Sequence, residues 1–401
     1  MYIAILGYGV VGSGVYQAVL RNQERIARQA GPVMVKRILD LRDFPGDQAE
    51  PLLTKDFTVI ANDPEIGVVA EAMGGVNPAF SFARACLEKG KSYVTSNKEL
   101  VAAHGAELMA IAREQKVSFL FEASVCGGIP LIKPLHEILM LDELTEITGI
   151  VNGTTNYILT AMAAQSRSFD ETLAEAQRLG YAERNPAADI NGFDAARKLA
   201  ILLSLISGKV VRYETIPTEG ITGLSAADFA YAARLGGSVK LLARGILGEQ
   251  PAGLVAPFLL PASHLLAHVD GVYNAVMTDC RLTGKTLFYG EGAGKLPTAT
   301  AVVSDIVDAI RHQGKHIPMD WSSEGLELLP AGAWLVKKLV RVDKKDDAER
   351  IFGDVEWVEG VAEGECAFVS PEMTEDELVR KMAELAKREA GVKVLGTIRM
   401  L

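Results

Sequence analysis

A chain of 401 residues is long enough for two or three domains and for burial of about three quarters of its unfolded surface, so stability requires neither disulfides nor a metal. Its 51 acidic and 41 basic residues leave a net charge of −10 with no long Lys/Arg run, which excludes a nucleic-acid footprint and leaves small molecules as the expected partners. Cys86, Cys126, Cys280 and Cys366 form no CxxC, and neither a basic-plus-apolar leader nor a long apolar span is present, so a reduced, soluble, cytoplasmic protein with no membrane partner is expected.

The first predicted element, Tyr2–Leu6, is a short apolar strand running directly into Gly7-Tyr8-Gly9-Val10-Val11-Gly12. In that context each glycine of GxGxxG has a task. Gly7 permits the tight turn, Gly9 lets the backbone approach a pyrophosphate, and Gly12 allows close helix–strand packing, while the helix start at Val10 and Val11 offers free N–H groups to the anion. Val11, Val15 and Val19 then recur at the four-residue spacing of a helix lying on a sheet. A dinucleotide site follows.

Val33–Leu41 is the second strand and ends in Leu39-Asp40-Leu41-Arg42-Asp43, where an acid suits a ribose hydroxyl and an arginine suits a 2′-phosphate. Further buried strands are expected at Phe57–Ile60, Val68–Met73, Ser92–Ser96 and Val117–Phe121, alternating with helices as in a doubly wound sheet. Ligands bind at the carboxyl ends of such strands, which singles out Gly74-Gly75 and Ser96-Asn97-Lys98. The glycine pair reads as a turn or as a close approach to a cofactor; Lys98 is the more telling feature.

Glu122-Ala123-Ser124-Val125-Cys126-Gly127-Gly128-Ile129-Pro130 is an acidic residue feeding a glycine-containing turn. Two readings stand: a plain domain crossing, or a turn whose carbonyls converge beside the charge of Glu122 to hold a monovalent cation through oxygen. Cys126 has no adjacent histidine to activate it and reads as an inert buried thiol.

Beyond Pro130 the pattern becomes α+β. A strand at Glu146–Val151 precedes the turn Asn152-Gly153-Thr154-Thr155-Asn156 and the helical Tyr157-Ile158-Leu159. Short polar side chains cap such a helix, and two asparagines with two threonines exceed what capping needs, so a ligand-orienting role is also open. Arg178-Leu179-Gly180 ends a helix, Tyr181-Ala182-Glu183 forms the connection, and Asp189 to Gly192 leads into a helix from Phe193. Asp194 and Lys198, four apart, share one helical face. They are either an exposed pair contributing about 0.3–0.5 kcal/mol or the charged end of a buried helix facing a cleft, since Leu199–Leu203 is wholly apolar. Three ionisable groups on this segment, downstream of a nucleotide signature, suit a dehydrogenase acting on a charged amino acid.

Together the GxGxxG, Ser96-Asn97-Lys98-Glu99, Glu122–Pro130, Asn152–Asn156, Gly180–Lys198 and Gly290-Glu291-Gly292-Ala293-Gly294-Lys295 resemble homoserine dehydrogenase in order and spacing over roughly residues 1–325. The resemblance implies reversible NAD(P)-dependent interconversion of L-aspartate 4-semialdehyde and L-homoserine, a step toward threonine, isoleucine and methionine. It assigns Glu183 to the substrate ammonium and Asp194 to the substrate and the neighbouring lysine. Lys198 becomes the proton donor in reduction, with its pKa drawn down by a second cation and desolvation, and Lys98 faces the same oxygen. Asn152, Gly153 and Thr154 join the substrate site. Gly7, Gly9, Val10, Val11, Gly12, Arg42, Gly74, Ser96, Lys98 and Gly292 line the coenzyme site. Glu122, Val125, Gly127 and Ile129 hold Na⁺ or K⁺, only Glu122 having side-chain chemistry to offer. The Arg42-Asp43 pair leans toward NADP with NAD usable, although Asp40 departs from the family's apolar residue.

The architecture expected is α/β: a Rossmann dinucleotide-binding domain at residues 1–130 completed by about 290–325, an α+β catalytic and dimerisation domain at 131–289, and a C-terminal unit at 330–401. That unit reads as strand Trp334–Val342, a helix near Asp346–Phe352, strands at Val355–Val358 and Cys366–Val369, a helix with the capping box Thr374-x-x-Glu377 and the stop Gly391, and strand Val392–Arg399. This βαββαβ order resembles a ferredoxin-like ACT domain. Asp343-Lys344-Lys345-Asp346 replaces the customary aspartate-proline-glycine, so sensing of an effector such as threonine and pure oligomerisation both remain open; each predicts a homodimer or homotetramer. No kinase unit is expected ahead of the first strand. Two further readings are carried. A thioester semialdehyde dehydrogenase would depend on Cys126, and a non-catalytic nucleotide or amino-acid sensor would not need Lys98, Glu183, Asp194 and Lys198 intact.

Overall fold

In the computed structural model, which describes residues 1–139, 141–345, 348–359, 361, 364–387 and 392–401, the chain starts with β1 (Tyr2–Leu6), α1 (Val10–Arg21), α2 (Gln23–Ala30), β2 (Met34–Leu39) and β3 (Leu53–Thr54). It continues through α3 (Thr58–Ala61), β4 (Ile66–Glu71), α4 (Ala79–Glu88), β5 (Ser92–Thr95), α5 (Lys98–Glu114) and β6 (Phe119–Leu120). The six strands pair in parallel in the order β3-β2-β1-β4-β5-β6. The order reverses between β1 and β4, the switch point at which such sheets bind nucleotides. Continuous apolar strands buried on both faces explain the parallel pairing: Ile3 to Leu6 are wholly buried.

The strand expected at Phe57–Ile60 is instead the short helix α3. The Asp56 carboxylate accepts the Thr58 N–H at 2.8 Å and its hydroxyl at 2.7 Å, and Phe57 stacks on Phe82 with ring centroids 3.9 Å apart. An apolar run this short carries no period, and the turn that Asp56 makes with Thr58 favours the helix.

The second region contains α6 (Ile132–Leu139), β7 (Leu144–Ile150), α7 (Gly153–Gln165), α8 (Phe169–Leu179), α9 (Ala187–Ile190), α10 (Phe193–Ser207) and β8 (Lys209–Val210). It is completed by α11 (Ala226–Arg234), β9 (Gly237–Ile246), β10 (Ala252–Pro261), β11 (Tyr273–Cys280) and β12 (Gly284–Glu291). An antiparallel sheet in the order β12-β11-β7-β9-β10 carries these helices. Then α12 (Lys295–Arg311) returns to the first domain and packs on α1. The approach is close enough that a Cβ at Gly14 would sit 2.6 Å from the Lys295 carbonyl oxygen. A two-residue stretch of β8 pairs with β13 (Ser322–Gly325).

The C-terminal unit comprises β14 (Leu335–Val342), α13 (Ala348–Phe352), β15 (Glu356–Val358), β16 (Cys366–Val369), β17 (Met373–Thr374), α14 (Glu375–Lys387) and β18 (Val394–Met400). Its strands lie antiparallel in the order β18-β14-β16-β15, the split βαβ arrangement expected from the sequence. Thr374 Oγ1 accepts the Glu377 N–H at 3.3 Å; Gly391 and Asp346 lie outside the described residues. This unit is not a separate sheet. Strand β18 pairs in parallel with β10, Phe258 opposite Arg399 and Leu259 opposite Met400, so both units share one continuous sheet. Buried Arg341 reaches buried Asp228 at 2.8 Å across the junction, and Arg399 pairs with Glu219.

Candidate active site

The glycine-rich turn has the geometry its sequence implies. Gly7 has φ 91°, and a Cβ on Gly12 would lie 1.8 Å from the Gly7 carbonyl oxygen. Gly9 faces open space toward Arg42, and Val10, the first residue of α1, is exposed. A cavity of about 490 Å³ opens beside this turn, lined by Gly9, Asp40, Arg42, Phe57, Met73 and Phe82. An apolar slot ending in a charged pair beside a helix N-terminus fits the adenosine half of a dinucleotide. Asp40 and Arg42 are joined: Arg42 donates through Nε at 3.0 Å and Nη2 at 2.8 Å, and the Tyr8 N–H donates to the same carboxylate at 2.7 Å. Hydrogen bonding from Arg42 holds the Asp40 carboxyl well below the usual carboxylate range.

Gly74 and Gly75 have φ 82° and 72°, and Ser96 donates its N–H to the Glu71 carbonyl, so the ends of β4 and β5 meet. Asn97 caps α5 by accepting the Glu99 and Leu100 N–H groups at 3.1 Å. Lys98, at the first position of α5, projects toward the second domain.

There it meets α10. Gly192 with φ 83° starts this helix and Gly208 with φ 69° stops it, and Leu199 to Leu203 are all buried, so Asp194 and Lys198 are the charged end of a buried helix rather than an exposed pair. Asp194 is bracketed: Lys98 Nζ lies 2.6 Å from Oδ1 as an ion pair, and Lys198 Nζ lies 2.8 Å from Oδ2. Lys198 also donates to the Val151 carbonyl at 2.6 Å. The Asn152 amide donates to Asp194 Oδ2 at 2.9 Å and to Asp189 Oδ1 at 2.7 Å, while its own oxygen caps α7 at Thr155. Asn152 thus both caps α7 and joins the side chains around Asp194.

The electrostatics correct one expectation. Burial alone would lower the Lys198 pKa, but the Asp194 carboxylate outweighs it and the pKa is raised. Burial likewise opposes ionisation of Asp194, and Lys198 and Lys98 overcome it, leaving its carboxyl well below the ordinary range. The second cation acts on the shared carboxylate rather than drawing protons off Lys198.

Gly153 is the first residue of α7, where a Cβ would meet the Val272 carbonyl oxygen at 2.7 Å. Thr154 donates its hydroxyl to the Tyr181 carbonyl at 2.6 Å, tying the Gly180–Glu183 connection to α7. Glu183 is exposed, its carbonyl accepting the Gln177 amide; no ion pair joins its carboxylate to the Asp194 centre among the described residues. A Cβ on Gly292 would strike the Asn274 amide at 2.2 Å, so only glycine lets the bend between β12 and α12 pass the buried Asn274. Asp189 is the residue sequence reasoning left without a role. Burial first and Asp194 second raise its pKa, and its position five residues before Asp194, across the Gly192 turn, was the available signal.

In the 122–130 turn the structure revises the part given to Glu122. Its carboxylate accepts the N–H groups of Leu131 at 2.6 Å, Ile132 at 2.9 Å and Lys133 at 2.8 Å, capping α6. Val125, Gly127 and Ile129 are buried, and a Cβ on Gly127 would meet Thr298 Oγ1 at 2.9 Å. A carboxylate spent on three N–H groups does not fit as a side-chain ligand; main-chain oxygens are the donors left in this segment. Cys126, with φ 51°, is buried, and burial pushes its thiol pKa up, as expected of an unreactive cysteine.

Comparison with known proteins agrees with this geometry. Residues 7–122 match the family model for the homoserine dehydrogenase NAD-binding domain, and residues 130–307 match that for homoserine dehydrogenase. A homoserine dehydrogenase of Pseudomonas aeruginosa is 44% identical over 314 residues, 77% of this chain and 72% of that protein. The crystal structure of a homoserine dehydrogenase from Thiobacillus denitrificans superposes with a TM-score of 0.90 at 35% identity, covering 100% of this chain and 98% of that one. A hyperthermophilic archaeal homoserine dehydrogenase in complex with NADPH aligns with a TM-score of 0.66 at 27% identity over 77% of this chain and 97% of its own.

Proposed function

Because the chain belongs to the homoserine dehydrogenase family, we propose a division of labour among its residues for the reversible, NAD(P)-dependent interconversion of L-homoserine and L-aspartate 4-semialdehyde. The observation that carries it is Asp194 held between Lys98 of the first domain and Lys198 of the second. When bound, the nicotinamide coenzyme supplies or accepts the hydride. Reduction of an aldehyde builds negative charge on its oxygen, and two ammonium groups at one carboxylate stabilise that charge. Lys198, kept protonated by Asp194, delivers the proton to the oxygen, and in oxidation it must receive one. Glu183 binds the substrate ammonium, and Asn152, Gly153, Thr154 and Asp189 shape the site around it.

Arg42 pairs with a coenzyme 2′-phosphate and Asp40 with a 2′-hydroxyl, so NADP and NAD are both accepted, with the arginine favouring NADP. Gly74, Ser96 and Gly292 line the nicotinamide end. A Na⁺ or K⁺ ion sits on main-chain oxygens of Glu122, Val125, Gly127 and Ile129. The C-terminal unit is an ACT-type module through which an amino acid such as threonine acts, and the protein works as a cytoplasmic homodimer or homotetramer. No helix among the described residues is long and apolar enough to cross a membrane.

The test is turnover of L-homoserine with NADP⁺ or NAD⁺, followed by absorbance of the reduced coenzyme, with and without threonine. Lys198→Ala is expected to lose at least about a thousandfold in kcat; near-wild-type turnover would remove Lys198 from the chemistry.

A further inference from the structure

At the centre of the first sheet, the last residue of β4 is a carboxylate, Glu71, that forms no ion pair among the described residues. Glu71 is 0% exposed, and burial raises its pKa despite the hydrogen bonds it accepts. A buried carboxylate is costly unless its oxygens are hydrogen-bonded, and here both are. Oε1 accepts the N–H groups of Met73 at 2.6 Å and Gly74 at 3.1 Å, and Oε2 accepts the Thr95 hydroxyl at 2.6 Å.

The bonds continue. Thr95 Oγ1 accepts the Asn97 N–H at 2.9 Å, and Asn97 Nδ2 donates to the Gly75 carbonyl at 2.6 Å. The chain runs from Glu71 through Thr95 and Asn97 to Gly75, and returns through Gly74 to Glu71. This closed ring joins the two ends of neighbouring strands that face the coenzyme cleft. Asn97 is also the cap of α5, and Lys98 is the next residue. One side chain therefore fixes both the Met73–Gly75 turn and the start of the helix that carries Lys98.

We propose that Glu71 is a positioning residue for the reaction: through Thr95 and Asn97 it sets the coenzyme turn at Gly74–Gly75 and the reach of Lys98 to Asp194 as one unit. A purely structural carboxylate would have served either turn alone, whereas this one bridges the coenzyme side and the Lys98 side. Glutamine is a poorer fit: with its oxygen on the Met73 and Gly74 N–H groups, its NH₂ faces the Thr95 hydroxyl, whose proton then loses the acceptor that Glu71 provides.

The proposal rests on the role given to Lys98 above, and the experiment separates the two. In Glu71→Gln, coenzyme Kd read by quenching of protein fluorescence is expected to rise about tenfold and kcat to fall by at least about tenfold, as small misplacements of reacting groups do. The KM for L-homoserine should stay within about threefold. Thr95→Val should move the same two quantities in the same direction, and Thr95→Ser, which keeps the hydroxyl, should restore both. Folded Glu71→Gln with wild-type coenzyme Kd and kcat would overturn the proposal, as would Thr95→Val behaving as wild type if Glu71→Gln does not fold. Lys98→Ala with wild-type kcat would instead overturn the role of Lys98, leaving the coenzyme Kd of Glu71→Gln to be read on its own.

Discussion

Replacing Asp194 with asparagine keeps the shape of the site and removes its charge. Two ammonium groups then face a neutral amide, and Lys198 loses the group that raises its pKa while keeping the Val151 carbonyl. Breaking a buried pair costs about 3–5 kcal/mol. Lys98 is 37% exposed and can turn to solvent, whereas Lys198 is 12% exposed, so the lower end, about 3 kcal/mol, is the appropriate figure. For a chain of 401 residues that lowers the thermal midpoint by roughly 3–4 °C. The kinetic loss is separate: losing the alignment of two charged groups at the reacting oxygen should cost about 10²–10³ in kcat, equivalent to roughly 2.7–4 kcal/mol. Steady-state oxidation of L-homoserine, measured well below the melting point of the variant and paired with calorimetry, reads both. A variant with kcat within about threefold of wild type would refute the assignment of Asp194 as the hinge between the lysines.

At the coenzyme site, Arg42→Ala is expected to raise KM for NADP⁺ about tenfold while barely changing that for NAD⁺, and Asp40→Ala should do the opposite; paired saturation curves decide. The pKa of His316 is raised chiefly by its bond to Asp320 at 2.8 Å, against the lowering effect of burial. A raised basic group stabilises the fold fully below its unfolded pKa and loses that contribution as pH rises through the folded value. Thermal midpoints should thus decline from about pH 6.5 upward in wild type, and less so in His316→Gln; parallel slopes would exclude the His316–Asp320 contact as the cause. Glu122→Gln, which puts an NH₂ against the Lys133 N–H and removes the charge at the start of α6, should destabilise the protein by about 1–3 kcal/mol in denaturant titrations carried out without added K⁺. An unchanged midpoint would show that the α6 cap contributes nothing.

Much of this was legible in the sequence, because the signals were local. Gly7, Gly9 and Gly12 between a strand and a helix, and Asn97 and Asn152 as caps, specify their own surroundings within a few residues. The proximity of Lys98 to Asp194 was not legible in that way: the two are ninety-six positions apart, and only the resemblance to a family joined them. Phe57–Ile60 misled because four residues, three of them apolar, have no period, and the turn that Asp56 makes with Thr58 outweighed them. The cap that Glu122 makes was not legible because a carboxylate in a turn suits a cation and a helix N-terminus equally well, and only the placement of α6 reveals the second. Glu71 was invisible for the opposite reason: a lone carboxylate inside an apolar strand carries no sequence signal of its own, and the ring that occupies it closes only in three dimensions.

Strand β18 lies between β10 and β14, and it follows both of them along the chain. During synthesis the earlier domains emerge and collapse first, at about 5–20 residues per second, so the edge of β10 stays uncovered until β18 leaves the ribosome and docks. Until then a nascent chain presents two unpaired strand edges, the arrangement that invites association with a neighbouring chain. Shortening the chain by its final strand would thus yield insoluble material in expression trials rather than an enzyme freed of its C-terminal unit.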